Sequence, residues 1–157
     1  MFNFFKKEKK LTSVANGRII TVSKVPDQVF SQKFLGDGFA VVPTSGEFFS
    51  PADGIISDVT DTLHAYCITT DDNLEILVHI GIDTVELKGT GFTPLVKKGD
   101  RVSAGDAIAK ANLEIIKEKG YNTTTVVVVT NMEKLASFKI LESPAAKAGS
   151  IAMTYKA

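Results

Sequence analysis

Two histidines, His64 and His79, are the whole imidazole supply of this chain, and they bracket one predicted hairpin. His79 stands inside the apolar run Ile76-Leu77-Val78-His79-Ile80. The run breaks at Gly81, reaches Asp83 and continues as Thr84-Val85-Glu86-Leu87. Asp61 to Thr69 reads as one strand and Leu74 to Ile80 as the next, joined by the polar turn cluster Thr70-Asp71-Asp72-Asn73. With an even-length loop centred between Asp71 and Asp72, Tyr66 opposes Leu77, Ile68 opposes Glu75, and His64 lies directly across from His79. Opposed Cβ atoms sit about 4.5–5.5 Å apart, so two imidazoles on one face can touch. An odd-length loop or a bulge would shift this register. In the even register Thr62 faces Gly81, whose missing side chain lets the hydroxyl reach inward. Thr62, His64 and His79 then share an outer face, while Ala65, Cys67, Leu74, Ile76 and Val78 line the core.

The remaining sequence bounds the fold. Length fits one ordinary domain, residues 11–157, behind a flexible N-terminal arm over residues 1–10. The 18 basic residues balance the 18 acidic ones, so there is no overall nucleic-acid signature. A single cysteine, Cys67, excludes an internal disulfide and reads as a small buried hydrophobe in a reducing compartment. No run approaches the ~18 apolar residues of a membrane span, and the start lacks the apolar region of a secretory signal. A cytoplasmic location is the expectation. The arm is aromatic and then basic, and Phe2 and Phe5 with the following lysines could make a weak membrane contact.

Short β-rich runs alternate with turn signals from Leu11 onward. Arg18 to Val22, Phe39 to Val42 and Ile55 to Val59 read as strands. Val25-Pro26-Asp27-Gln28-Val29-Phe30 reads as a loop or edge, because Pro26 has no N–H for a ladder. Thr125 to Thr130 is a continuous β-branched run of the kind buried strands carry. One helix is expected from Leu113 to Lys119, with Asn112 as N-cap and Gly120 just past the end. The pattern implies an all-β, compact antiparallel sandwich or barrel of many short strands with one or two short helices. Gly36-Asp37-Gly38-Phe39 and Gly89-Thr90-Gly91-Phe92 echo each other, but neither completes a dinucleotide-binding fingerprint.

Paired histidines have three uses: structural, metal-binding, or transfer of protons or phosphoryl groups. A zinc hydrolase needs a third protein ligand, for which Asp83 or Asp27 are the candidates, and no His-x-His or His-Glu-x-x-His spacing is present. For covalent catalysis, a neutral His79 offers a ring nitrogen lone pair to phosphorus. His64 could then donate a hydrogen bond to the phosphoryl oxygens, with Thr62 fixing its tautomer. Asp83 would attract or orient a basic partner, or serve only as a turn carboxylate.

The run Leu77-Val78-His79-Ile80-Gly81-Ile82-Asp83-Thr84-Val85-Glu86-Leu87-Lys88-Gly89-Thr90-Gly91-Phe92 resembles the glucose-type IIA component of the bacterial sugar phosphotransferase system. Val25 to Phe30, Gly36-Asp37-Gly38 and Thr62-Leu63-His64-Ala65 add to the likeness, which runs from about Gly17 to the C-terminus. The resemblance implies an antiparallel β-sandwich and a phosphoryl carrier in sugar uptake. The histidine matching His79 takes a phosphoryl group from the carrier HPr and passes it to a cysteine of a sugar-specific IIB domain of the IIB/IIC permease. The one matching His64 stabilises the phosphohistidine, with a threonine matching Thr62 beside it. Residues matching Val29, Phe30, Leu35, Leu77 and Val85 form an apolar docking collar, with Asp27 and Asp83 among them. No cofactor is required, though in some members the histidine pair, here His64 and His79, binds zinc together with a glutamate from a regulated partner. Leu63 stands where the family often has a polar residue, and Thr125-Val126 lacks a proline frequent there. Three other readings remain: a regulatory binding module, a biotinyl- or lipoyl-type carrier suggested by the turns of Val96 to Asp106, and a zinc hydrolase.

Overall fold

The computed structural model describes residues 7–157. In chain order the elements are β1 (Lys9–Thr12), β2 (Gly17–Thr21), α1 (Gln28–Ser31), β3 (Asp37–Pro43), β4 (Glu47–Phe49), β5 (Gly54–Val59), β6 (Ala65–Thr70) and β7 (Glu75–His79). There follow β8 (Phe92–Pro94), β9 (Arg101–Val102), β10 (Ala107–Ala111), α2 (Leu113–Glu118), β11 (Thr125–Val129), β12 (Ser137–Ile140), β13 (Ser143–Ala146) and β14 (Ile151–Lys156). Strands dominate and both helices are short, as the all-β expectation has it. The large sheet runs β13-β2-β3-β11-β7-β6-β5-β9, and two three-stranded sheets run β1-β14-β12 and β4-β10-β8. Neighbouring strands pair antiparallel throughout these sheets.

Side-chain alternation gives the large sheet two apolar faces with different partners. Its inner face supplies Ile19, Phe39, Val41, Tyr66, Ile76, Val78 and Val127 to the main core. The smaller sheets close over them with Leu11 and Met153 on one side and Phe48, Phe92 and Ile108 on the other. The outer face carries a second cluster of Ile20, Ala40, Val126 and Val128, covered by Val22, Val25, Phe30 and Ile82. β11 lies between β3 and β7 and is buried on both faces, which is why its five residues are nearly all valine. Ile20, Ala40, Val126 and His79 follow one another across β2, β3, β11 and β7 in a single transverse row on the outer face. His79 thus sits in a row of apolar side chains.

Several expectations give way. β1 begins at Lys9, pairing Lys9 with Tyr155, so the last two residues of the expected arm belong to the sheet. The expected membrane contact of Phe2 and Phe5 lies outside the described residues. The segment expected as loop or edge contains α1, because Asp27, following Pro26, caps a helical turn: its carboxylate accepts from Val29 N and Phe30 N at 2.9 and 3.3 Å. α2 forms as expected, with the Asn112 side chain accepting from Ile115 N.

Tyr66 is fully buried in the main core, and its hydroxyl has no hydrogen-bond partner among the described residues. Burial pushes this phenol up to about 12. Removing an unsatisfied buried hydroxyl while keeping the ring relieves a desolvation penalty. Tyr66→Phe is therefore expected to leave stability unchanged or raise it by up to about 1 kcal/mol in urea unfolding. A loss of that size would instead reveal a partner for the hydroxyl.

Candidate functional site

The hairpin that carries the histidines has a different register from the one expected. Ala65 pairs with His79, Tyr66 with Val78, Cys67 with Leu77 and Ile68 with Ile76. The loop is odd: Thr70 and Leu74 close it, leaving Asp71, Asp72 and Asn73 between them. Asn73 takes the left-handed conformation, φ 65°, that a three-residue hairpin loop needs at this position. Thr70 Oγ1 accepts from Leu74 N at 2.9 Å and binds Asp72, which locks the odd loop. The shift of one position moves every β6 side chain to the other face. Tyr66 and Ile68 enter the core, whereas Cys67 comes to the outer face, half-buried beside Leu77. Burial, with Asp58 and Glu75 adding to it, pushes the Cys67 thiol up, away from reactive thiolate.

His64 does not lie across from His79, yet the rings meet. Their centroids are 4.7 Å apart and their planes stand at 82°. β6 starts only at Ala65, so His64 belongs to a turn and is free of strand alternation. Leu63 adopts φ 62°, its N–H bonds Thr60 O, and Thr60 N–H bonds Ala65 O. That left-handed position explains why a short polar residue suits position 63 better than leucine. The turn swings the His64 ring over β7, while its carbonyl accepts from Ile80 N at 2.7 Å. Thr62, expected to face Gly81, instead puts its hydroxyl 2.7 Å from His64 Nδ1. Thr60, which the sequence did not single out, brings a second hydroxyl to 3.4 Å of the same nitrogen.

The two rings differ in environment. His64 is buried at 5 % exposure rather than sharing an open patch, and His79 above it is half-buried. Phe30, expected in the exposed collar, is also buried and meets the His79 ring edge-on at 5.0 Å. Burial first, then the neighbouring His79, brings His64 down to about 4. Burial lowers His79 as well, opposed by the Gly81 carbonyl and then by Asp27 and Asp83. Both imidazoles are neutral near pH 7. The tautomer of His79 follows from one contact: Nδ1 lies 2.7 Å from the Gly81 carbonyl oxygen. A carbonyl only accepts, so Nδ1 carries the proton and Nε2 carries the lone pair.

Of the other expected collar residues, Val29, Leu35 and Val85 are exposed at 46, 41 and 45 %, and Leu77 of β7 is half-buried against the second apolar cluster. Phe34, absent from the expected set, is the most exposed large apolar side chain among the described residues at 74 %. The Asp27 carboxylate is engaged as the α1 cap, whereas Asp83 is exposed in a left-handed residue after Gly81. Among the described residues no three His, Cys, Asp or Glu side chains are grouped to hold a metal ion. Asp83 and Asp27 therefore do not complete a three-ligand site with the histidine pair, which removes the basis for a zinc hydrolase. The pair alone fits two of zinc's four tetrahedral positions, each ring having its Nδ1 engaged.

Comparison with known proteins gives concordant results. The family described as phosphoenolpyruvate-dependent sugar phosphotransferase system, EIIA 1, matches residues 9–135. A glucose-specific EIIA component of Halalkalibacterium halodurans is 44 % identical over 143 residues, covering 91 % of this chain and 83 % of the relative. A glucose-specific EIICBA component of Streptococcus pneumoniae is 46 % identical over 132 residues, covering 84 % of this chain but 18 % of that longer protein. The solved structure of the glucose permease IIA from Mycoplasma capricolum superposes with a TM-score of 0.86 at 33 % identity, covering 98 % of this chain and 99 % of that one.

A histidine held neutral by the fold ties stability to pH. Above 6.5 His64 is neutral in both folded and unfolded chains and favours neither. As pH falls from 6.5 towards about 4, the unfolded chain takes up a proton that the folded site refuses, so stability is lost across that window. The loss from this group is expected on the order of 2 kcal/mol between pH 7 and pH 4.5. Urea unfolding of the parent and of His64→Gln at both pH values measures it, and the variant should lose less. Equal losses would place the acid sensitivity elsewhere.

Proposed function

The chain belongs to the EIIA 1 family of the phosphoenolpyruvate-dependent sugar phosphotransferase system, and we propose that its part in that system is carried by Nε2 of His79. It is a phosphotransferase component, a phosphoryl carrier of sugar uptake that works through a phosphohistidine. The carrying observation is the bond between His79 Nδ1 and the Gly81 carbonyl, which leaves Nε2 as the one nucleophilic nitrogen.

In the loading step the Nε2 lone pair attacks the phosphorus of a phosphohistidine on HPr. A new N–P bond forms, the donor's N–P bond breaks, and its electron pair returns to the donor ring. His79 then bears a phosphoryl group at Nε2 and a proton at Nδ1, so the ring gains positive character. The Gly81 carbonyl stabilises that charge directly, and the Asp27 and Asp83 carboxylates do so through their field. This gives Asp83 a purpose beside an anion: it acts on the ring rather than on the phosphate. His64, with Thr62 donating to its Nδ1, presents Nε2–H to the phosphoryl oxygens. Because that ring is neutral it stabilises the load without trapping it as an ion pair would. In the onward step a thiolate of the IIB domain attacks phosphorus, an S–P bond forms, and the N–P pair returns to His79 Nε2.

Docking of both partners falls to the exposed apolar rim of Val29, Leu35, Val85 and Phe34, with Leu77 between them, Phe30 as its buried support and Asp83 at the edge. Sugar specificity resides in the IIB/IIC partner. No helix among the described residues is long and apolar enough to cross a membrane, and the carrier is read as working on the cytoplasmic side. The Nε2 atoms of His64 and His79 would also serve as two zinc ligands if a partner supplied the rest and the His64 proton moved to Nδ1, from which it would be donated to the Thr62 hydroxyl oxygen. Zinc would there act as a structural clamp between proteins, and it competes with phosphate for the same His79 lone pair.

Incubation with phosphoenolpyruvate, enzyme I and HPr is expected to label the protein with an acid-labile, base-stable phosphate that is absent in His79→Ala. His64→Gln is expected to load but to pass the group on more slowly, by ~10-fold or more. Label that persists in His79→Ala would move the carrier site, and normal onward transfer by His64→Gln would remove His64 from the mechanism.

A further inference from the structure

The nucleophile's geometry rests on a backbone carbonyl, and the structure shows what holds that carbonyl. The Gly81 C=O and the Ile82 N–H belong to one planar trans peptide unit and point in opposite directions. On one side the C=O receives His79 Nδ1–H at 2.7 Å. On the other, the Ile82 N–H donates to the Asn122 carbonyl at 2.9 Å. The preceding peptide unit is gripped as well: the Thr84 hydroxyl donates to the Ile80 carbonyl. Both planes flanking the Gly81 Cα are thereby fixed, and the residue is held at φ 79°, where a side chain is disfavoured. A Cβ there would also collide with the Thr84 methyl and lie 3.1 Å from Asn122 O. Thr84 is fully buried, so its hydroxyl is not a surface ornament and has no solvent to turn to. The Asn122 carbonyl is steadied in turn by the residue's own side chain, which accepts from Thr124 N at 2.8 Å just ahead of β11.

We propose that Thr84 is a positioning residue for phosphoryl transfer: its hydroxyl, with the Asn122 carbonyl, aims the Gly81 carbonyl at His79 Nδ1 and so keeps the lone pair on Nε2. Thr84 acts through the backbone and touches neither ring. This rests on the reading of His79 as phosphoryl acceptor. It adds that the acceptor's tautomer is set two peptide units away, by a hydroxyl from the 3₁₀ turn Thr84–Leu87 and a loop carbonyl ahead of β11. Without the hydroxyl the Ile80–Gly81 plane is free to rotate, Gly81 has the widest backbone freedom of any residue, and the carbonyl drifts from the ring. The proton is then shared between Nδ1 and Nε2, and each chain with the proton on Nε2 cannot accept phosphorus.

The test compares Thr84→Val, which keeps the shape and loses the hydroxyl, with Thr84→Ala and with Thr84→Ser, which restores it. The chain has two histidines, so ¹⁵N-histidine labelling resolves both rings of the unphosphorylated protein at pH 8. In the parent and in Thr84→Ser, His79 is expected to show a protonated Nδ1 and a bare Nε2. In Thr84→Val and Thr84→Ala the two nitrogen shifts are expected to converge, and loading from HPr to slow by ~10–100-fold. The His64 signals should stay in place in all four proteins. A folded Thr84→Val with the parent's shifts and loading rate would overturn the proposal. So would failure of both Val and Ala to fold beside an intact Ser variant, since the hydroxyl would then serve folding alone. The nitrogen shifts are read without any phosphoryl donor, so a parent protein that shows the Nδ1–H tautomer but takes no phosphate would indict the functional reading and not the positioning one.

Discussion

The hydrogen bond from His79 Nδ1 to the Gly81 carbonyl links the fold to its chemistry. An imidazole free in water exchanges its proton between two nitrogens and turns about two torsions. Here a carbonyl that can only accept removes the first freedom, and the Phe30 edge and the His64 ring remove most of the second. The bond works because β7 ends at His79 and the chain then turns through Gly81 with positive φ, bringing a carbonyl back to the ring just passed. A strand that continued straight would send that carbonyl into the ladder.

Burial does the rest. His79 shares an apolar row with Val126, Ala40 and Ile20, and His64 lies beside it out of water. Low polarity favours the neutral ring in both cases, the state that the proposed nucleophile at His79 and uncharged donor at His64 require. The carboxylates of Asp27 and Asp83 bear on the His79 ring and offset part of the lowering by burial.

Much of this was legible from the residues, for definable reasons. The β-branched run of β11 and the capped helix α2 are local patterns whose tertiary setting agrees with them. His79 and its motif are likewise a local signal, an ionisable ring within an apolar strand before a glycine. The hairpin register was less legible. It depends on loop parity, and the left-handed Asn73 that sets parity looks in sequence like any other polar turn residue. That asparagine tolerates this conformation better than most was the available clue. The Asp27 cap was signalled by a short acceptor side chain just before the Gln28-Val29-Phe30 turn, and the preceding proline obscured it. Thr60 and Phe34 carried no signal: one is a threonine among many, and the other is exposed because of where α1 ends.

The sequence by itself determined an all-β architecture and the placing of its two histidines about one hairpin, because periodicity, glycine placement and the scarcity of histidine are properties of the chain in one dimension. Only the tertiary structure decided how the pair meets. Ring contact between residues on different segments depends on the turn at Leu63 and on which face each strand buries, and the Gly81 carbonyl is aimed by Thr84 and by Asn122 from a separate loop. Those are fixed by packing and hydrogen bonds between distant parts of the chain, and no local pattern of residues encodes them.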